Sequence, residues 1–303
     1  MGDVKYAARQ LWRNPGFMGI VVLTLGLSVG ANTAIFSIVN ALLLKNLPYP
    51  HPDRLGTIYA RATGSQSFDG PRSIDGEQWE LIRDDVPSLI SSVSAPLTSG
   101  VNLRAGSHVQ YLHAGRVSAH FFDVLGVHPV AGRNFSEDED RPHGPKTAIL
   151  SYAFWRTTFG GKLDVLGQTA VLKGEPYTII GVLPENATTP LNADIYTAIQ
   201  PSREGEGRGT NFEAILRLRD GASWQQADAE INRAWARSAR VLEIAKHNPG
   251  LQFTYYCVPL QKSETDTLRP QVLTLMLAAG LILLIACANL AGLTLVRMMR
   301  RSG

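Results

Sequence analysis

Two long stretches of this chain carry no charged residue, one between Arg13 and Lys45 and the other between Arg269 and Arg297. Each exceeds the ~20 mostly apolar residues that take a helix across a hydrocarbon core. Neither shows the polar face that a helix on a soluble protein keeps. The pattern therefore predicts two transmembrane helices, residues 16–44 and 271–296. On one face of each, small residues recur every four positions: Gly26, Gly30 and Ala34 in the first run, Ala288 and Gly292 in the second. Small residues at this spacing let helix backbones approach closely in lipid, so these five are the expected helix-packing residues. They would meet other helices or another subunit. A cleaved signal peptide fits the first run poorly. Its apolar stretch is far longer than the roughly 7–15 residues of such a leader, and no small-x-small cleavage site follows it.

Between the runs, residues 45–270 alternate strand and helix patterns. "RLGTIYARA" reads as a strand and "SIDGEQWELIRDD" as a helix, with Ser73 as cap and Ile74, Trp79 and Ile82 on the apolar side. "HVQYLHAGRVSAHFFDVLG" passes from a strand into a short helix. "KTAILSYAFWRTTFGG" is a strand followed by a helix closed by Gly160-Gly161. Two β-rich runs around Lys173-Gly174-Glu175-Pro176 read as a hairpin. Then come a strand from Asn211, a helix capped by Ser223, and a last strand, "QFTYYCVPL". The expected class is a membrane protein with two transmembrane α-helices flanking an α+β extracytoplasmic domain of two lobes. Ahead of the first run, residues 1–15 predict an interfacial amphipathic helix, with Val4, Ala7, Ala8, Leu11 and Trp12 near one face.

Charge sets the expected orientation. The net charge of +3 hides an uneven distribution. Lys5, Arg9 and Arg13 precede the first run, Lys45 follows it, and Arg297, Arg300 and Arg301 follow the second. With these seven and Asp3 set aside from the 29 basic and 26 acidic residues, 22 basic and 25 acidic remain for 46–296. Cytoplasmic flanks favour Lys and Arg, so both termini, including the tail 297–303, are expected in the cytoplasm and the middle outside. A mildly acidic middle argues against a nucleic-acid partner. The two cysteines, Cys257 and Cys287, fall outside and inside the second run and are not expected to pair.

Catalytic spacing is absent from the sequence. The nearest text to a phosphate-binding loop, "FWRTTFGGKLD", has Arg156 where the first glycine belongs and Leu163 where Ser or Thr belongs. "GEGRGT" at 205–210 reads as a flexible loop, and "SEDED" at 136–140 as a solvated acidic turn. His108, His113 and His120 lie closest together among seven scattered histidines, without metal-ligand spacing. No catalytic residue, cofactor or metal is therefore expected. No ionisable residue lies in either span, whereas paths through lipid usually contain some.

Several separated stretches carry a family likeness. "LWRNPGFMGIVVLTLGLSVGANTAIFSIVNALLLKNLPYPHPDRL" resembles the opening of MacB-type ABC transporter permeases. "SAHFFDVLGVHPVAGRNFSEDED" and "AILSYAFWRTTFGGKLDVLGQTAVLKGEPYTIIGVLPE" resemble two stretches of their extracytoplasmic core domain, and "LILLIACANLAGLTLVRMMRR" their second membrane helix. The resemblance implies a permease in the bacterial inner membrane that couples ATP hydrolysis on a separate ATPase subunit to movement of an outer domain, for export or mechanotransmission. It implies an ABC ATPase subunit, a permease homodimer or second permease, and membrane lipid as partners, and allows a periplasmic adaptor. Family members continue with further helices beyond the second, so the chain is expected to be the N-terminal portion of a longer permease. The alternative readings are a membrane-anchored sensor or ligand-binding protein, and a membrane-tethered enzyme.

Overall fold

A computed structural model of the chain describes residues 15–40, 46–64, 67–105, 108–248, 250–266 and 269–299. The amphipathic helix expected over 1–15 lies, but for Pro15, outside the described residues, as does the tail beyond residue 299. The chain divides into two compact units, residues 47–263 and residues 1–46 with 264–303.

The smaller unit holds two helices, α1 (Pro15–Val39) and α8 (Arg269–Met299). They run antiparallel: Leu23 and Ser28 share a groove with Ile282 and Asn289, while Asn32 Nδ2 donates to the Ala279 carbonyl at 3.4 Å. Among the described residues, the buried positions of α8 are Val272, Ala279 and Ala286, and those of α1 include Ser28 and Val39. A seven-residue repeat keeps a seam facing its partner when two helices cross at about +20°. Helical hydroxyls bond within their own helix: Ser28 to Thr24 O at 2.8 Å, Ser37 to Thr33 O at 2.9 Å and Thr274 to Pro270 O at 2.9 Å. Hydrocarbon demands such internal satisfaction. Among the described residues, one helix is long and apolar enough to cross a membrane, α8 over Arg269–Asn289, with mean hydropathy 2.4. The apolar window of α1, Val22–Ser37, is shorter. Leu42, Leu43 and Leu44, which lengthen the run in the sequence, lie outside the described residues.

In the larger unit, twelve strands among the described residues join one sheet in the order β10-β7-β9-β8-β4-β5-β3-β11-β1-β12, with β2 (Phe68–Pro71) paired to β1 and β6 (Ala131–Gly132) paired to β9. Its first half closes on itself. Strands β4 (Ser99–Ala105), β5 (His108–Val117), β7 (Thr147–Leu150), β8 (Thr169–Leu172), β9 (Glu175–Val182) and β10 (Ile195–Ala198) each pair with two neighbours in the ring β7-β9-β8-β4-β5-β10. Pairing of β10 with β5 (Ile195↔Ala114 to Ala198↔Val117) and with β7 (Ile195↔Leu150 to Thr197↔Ala148) completes this six-stranded barrel. Its inward face is apolar, with Leu103, Leu112, Ala148, Leu150, Leu172, Ile179 and Ile195 in one buried cluster. Small barrels fill their interior in this way. The hairpin expected at 173–176 joins β8 to β9, with Lys173 and Gly174 at φ 51° and 85°. Helix α4 (Tyr152–Phe159) follows β7, capped by Ser151 and ended by Gly160 at φ 65°.

The second half is an open sheet of β3 (Leu89–Ser94), β11 (Glu213–Leu218), β1 (Leu55–Thr63) and β12 (Gln252–Pro259). Helices α2 (Gly76–Asp85) and α5 (Trp224–Trp235) contribute Trp79, Ile82, Ile231 and Trp235 to its core, and in the chain α6 (Ala239–His247) follows α5 and α7 (Leu260–Asp266) follows β12. Helix α2 begins two residues later than the sequence pattern implied. Asp75 is the N-cap, in a reciprocal box with Gln78, and Ile74 bridges Phe212 instead of starting the helix. An aspartate facing an N3 glutamine satisfies two orphan amides at once, which Ser73 does not reach. A third cluster, with Phe121 and Phe122 of α3 (Phe121–Leu125), Tyr196 and Leu55, sits where barrel and open sheet meet. The two expected lobes are thus two regions of one continuous sheet.

Trp235 is fully buried; its Nε1 donates to Gln78 O at 2.9 Å and its ring meets Tyr255 edge-on at 4.5 Å. Trp235→Ala is expected to cost about 3–5 kcal/mol, measured by denaturant unfolding of the full chain followed at far-UV wavelengths.

Candidate functional site

Strands β1 and β12 are the first and last strands of the larger unit, and they lie side by side. Their antiparallel ladder runs through eight residue pairs, from Gly56↔Pro259 to Thr63↔Gln252. Where the chain arrives, Leu47 N donates to Gln261 Oε1 at 2.8 Å, a residue just past the end of β12. Residues separated by almost the whole unit are thereby held together, so both chain connections leave from one place. Gly56 is required there. A Cβ at this position would lie 2.5 Å from the Trp224 ring and 3.0 Å from Val258 O. The outer side of the ladder is tied by polar contacts. Arg61 Nε donates to Asp69 Oδ2 at 2.9 Å, Tyr256 hydroxyl donates to the same carboxylate, and the Arg61 guanidinium lies 5.3 Å from the Tyr256 ring centre. The Tyr256 and Arg61 bonds hold the Asp69 carboxyl below its ordinary range.

The other edge of β12 has no strand partner among the described residues. Two side chains from α5 take that place. Asn232 Nδ2 donates to Tyr255 O at 2.6 Å while its Oδ1 accepts from Tyr255 N at 3.0 Å. One turn earlier, Asp228 Oδ1 accepts from Cys257 N at 2.6 Å. An amide side chain offers a donor and an acceptor side by side, so Asn232 reproduces the paired bonds of a neighbouring strand. Open edges recruit other chains, and covering them is one remedy. Cys257 is buried beneath this cover, and burial, reinforced by Asp228, pushes its thiol well above the ordinary range.

Beside α3 lies a second polar assembly, and it corrects the reading of "SEDED" as a solvated turn at Glu139 and Asp140, while Ser136, Glu137 and Asp138 are exposed. Glu139 is 5% exposed and accepts both Arg133 guanidinium nitrogens at 2.8 Å. Burial alone would raise its carboxyl; the Arg133 pair and the Ser136 amide outweigh that and leave it below the usual range. Asp140 accepts from Ala119 N and Gln200 N, each at 3.0 Å. Gln200 Nε2 donates to Glu139 O at 3.0 Å and Gly144 O at 2.9 Å. The acidic turn is therefore a tie between the segment before α3 and the end of β10. Burial pushes Asp140 up to about 6 despite its two amide donors. His120 stands 3.5 Å from Asp123 and 3.4 Å from Glu137, and the Asp123 contact chiefly raises its pKa. The "GEGRGT" loop is also anchored: Gly205–Arg208 forms a 3-10 turn whose Glu206 pairs with Arg116 at 2.8 Å.

The five small residues expected to pack helices are not in the α1/α8 seam. Gly26, Gly30, Ala34, Ala288 and Gly292 are all exposed, and a Cβ at Gly26, Gly30 or Gly292 meets nothing within 4 Å. The seam uses Ser28, Ala279 and Ala286 instead. Among the described residues no three of His, Cys, Asp and Glu converge to hold a metal ion. Sequence reading missed Asn232, Asp228 and Asp140. The only signal available was a helical i,i+4 Asp/Asn pair facing the apolar side of α5.

Residues 18–234 match the family model described as the MacB-like periplasmic core domain. A macrolide export ATP-binding/permease protein MacB of Salmonella paratyphi A is 21% identical over 294 residues, 94% of this chain and 44% of that protein. MacB 1 of Yersinia pestis bv. Antiqua is 22% identical over 315 aligned positions, 100% of this chain and 46% of that protein. The chain thus spans about half the length of these curated relatives. Among solved structures, a domain named for a permease protein of Porphyromonas gingivalis matches with TM-score 0.52 and 20% identity. That match covers 71% of this chain and 92% of the other, a likeness of fold alone.

Asn232→Ala removes both strand-like bonds and is expected to cost about 1–3 kcal/mol. Hydrogen exchange at the Tyr255 and Cys257 amides should rise while exchange in the barrel stays unchanged. Asp140 gives a pH signature. Its folded pKa lies above its unfolded value of about 3.9, so its contribution to stability is fully present below pH ~4. That contribution is lost as pH rises through about 6. A pH series of unfolding midpoints should therefore fall less steeply between pH 4 and 6 for Asp140→Asn than for the unaltered chain.

Proposed function

The chain belongs to the MacB-like periplasmic core domain family, and on that premise we propose that it is the membrane permease part of an ABC transporter. In this reading residues 16–44 and 271–296 cross the inner membrane, both termini face the cytoplasm, and residues 45–270 form the extracytoplasmic core domain. ATP is hydrolysed on a separate ATPase subunit, and the permease itself carries no enzymatic activity. The curated relatives' names join ATP-binding and permease parts, which supports an ATPase as partner. Export or mechanotransmission is the work performed, and a periplasmic adaptor is a further partner of this reading.

The observation that carries the proposal is the β1/β12 ladder. One strand is joined by sequence to the first apolar run, the other to the second. Sliding one strand against the other would break many backbone bonds together, so a displacement of the helices reaches the sheet through both strands as one lever. The cover from Asn232 and Asp228 ties that lever to α5 and the open-sheet core. The outward Gly26/Gly30/Ala34 face supports a second permease copy as helix partner, because small residues admit close backbone approach in lipid.

The test is co-expression with an ABC ATPase encoded beside it. The two should co-purify from detergent-solubilised membranes, and a Gly30→Leu chain should lose self-association, read by cross-linking, while the outer domain keeps its thermal transition. Robust ATP hydrolysis by this chain alone, or an Arg141→Cys label reached only from the cytosol, would refute the reading.

A further inference from the structure

The six-stranded barrel has one filled end and one open end. At the filled end α4, which follows β7, adds Phe154 and Trp155 to the barrel core. At the other end lies a cavity of about 550 Å³, within the range of small-molecule sites, which favour barrel mouths. Ends of β5, β8 and β10 and beginnings of β4, β7 and β9 surround it.

Side chains alternate along a strand, so the inward series of each can be followed outward. On β4 it runs Leu103, Val101, Ser99. On β5 it runs Leu112, Ala114, Arg116. On β10 Ile195 gives way to Thr197, and along β7 Leu150 and Ala148 give way to Lys146. On β9 Ile179 is followed by Tyr177. These five series are apolar at depth and turn polar at the mouth, while β8 keeps the apolar Leu172 there. The mouth carries three cations, Arg116, Lys146 and Lys173, against one carboxylate, Glu175. Arg116 is held by Glu206, and Lys146 by Glu175 at 2.5 Å. Lys173 has no acidic partner among the described residues. Thr197 is 6% exposed and lines the cavity, and among the described residues nothing hydrogen-bonds its hydroxyl. A hydroxyl open to the cavity and a cation without an acidic partner, beside the apolar side chains of Val101, Leu172 and Ile199, match one kind of occupant.

We propose that the barrel mouth binds a small organic anion with an apolar body. Its carboxylate or phosphate head is held by Lys173 and Thr197, and its apolar segment lies on Val101, Leu172 and Ile199. The inference goes beyond the transport reading and does not rest on it, since binding here needs neither an ATPase nor a moving helix.

The test uses the full chain in lipid nanodiscs and a diazirine-tagged hexyl phosphate, with cross-linked peptides mapped by mass spectrometry. Label is expected on peptides covering 99–116 and 172–200, displaced by hexyl phosphate and by hexanoate but not by hexyltrimethylammonium. Lys173→Glu should lower labelling about tenfold and Thr197→Val about threefold, both with unchanged thermal transitions. Displacement of either alkyl anion's kind tells which head group is preferred, and both support the site. Equal competition by hexyltrimethylammonium would overturn the charge argument, and equal competition by inorganic phosphate the apolar one. Label confined to α1 and α8, or undiminished in Lys173→Glu, would overturn the site itself.

Discussion

The backbone ladder between β1 and β12 is the constraint on which the rest of the larger unit depends. It joins the first and last strands of a unit some two hundred residues long in one register, Gly56↔Pro259 to Thr63↔Gln252. Without it the chain would leave the sheet from two unrelated places. With it, the segments leading to both apolar runs are neighbours, held also by the Leu47–Gln261 bond. Antiparallel pairing is suited to this task because its bonds lie perpendicular to the strands. A pull along either strand is shared by the whole ladder.

A ladder at the margin of a sheet has an unpaired side, and the fold answers with side chains. Asn232 and Asp228 satisfy Tyr255 and Cys257 as a further strand would. They do so from α5, whose Ile231 and Trp235 are already buried on the same core. The edge is thereby covered and fixed in one step. Glu139, Asp140 and Gln200 perform the corresponding service at the other end, where they satisfy the backbone of Ala119, Ser136 and Gly144. In both places a partly or fully buried polar side chain replaces secondary structure.

The barrel solves the edge problem differently, by closing. Its two parallel pairs, β7 with β9 and β5 with β10, let a ring form from strands that are otherwise joined by antiparallel turns. Closure leaves two ends as the only places where the inward face can meet solvent. Helix α4 fills one. The other keeps a polar rim over an apolar floor, an arrangement that family membership alone would not disclose.

Most individual elements were legible in the residues. The strands at 55–63 and 252–259, the hairpin around Lys173-Gly174, the helix end at Gly160 and the cap at Ser223 follow from alternation, turn chemistry and helix capping, all of which act over a few positions. The uncharged runs were equally plain, because length and composition are local counts. What the sequence did not disclose is everything that depends on which distant segments meet. It could not show that β10 pairs with both β5 and β7, that Asn232 lies against Tyr255, or that Asp140 accepts from the amides of Ala119 and Gln200. It placed Gly26, Gly30 and Ala34 on one face but could not say that this face lies outside the α1/α8 seam. Periodicity reports only which side of an element is apolar. The partner of that side is chosen by the packing of the whole chain, and so only the tertiary structure could decide it.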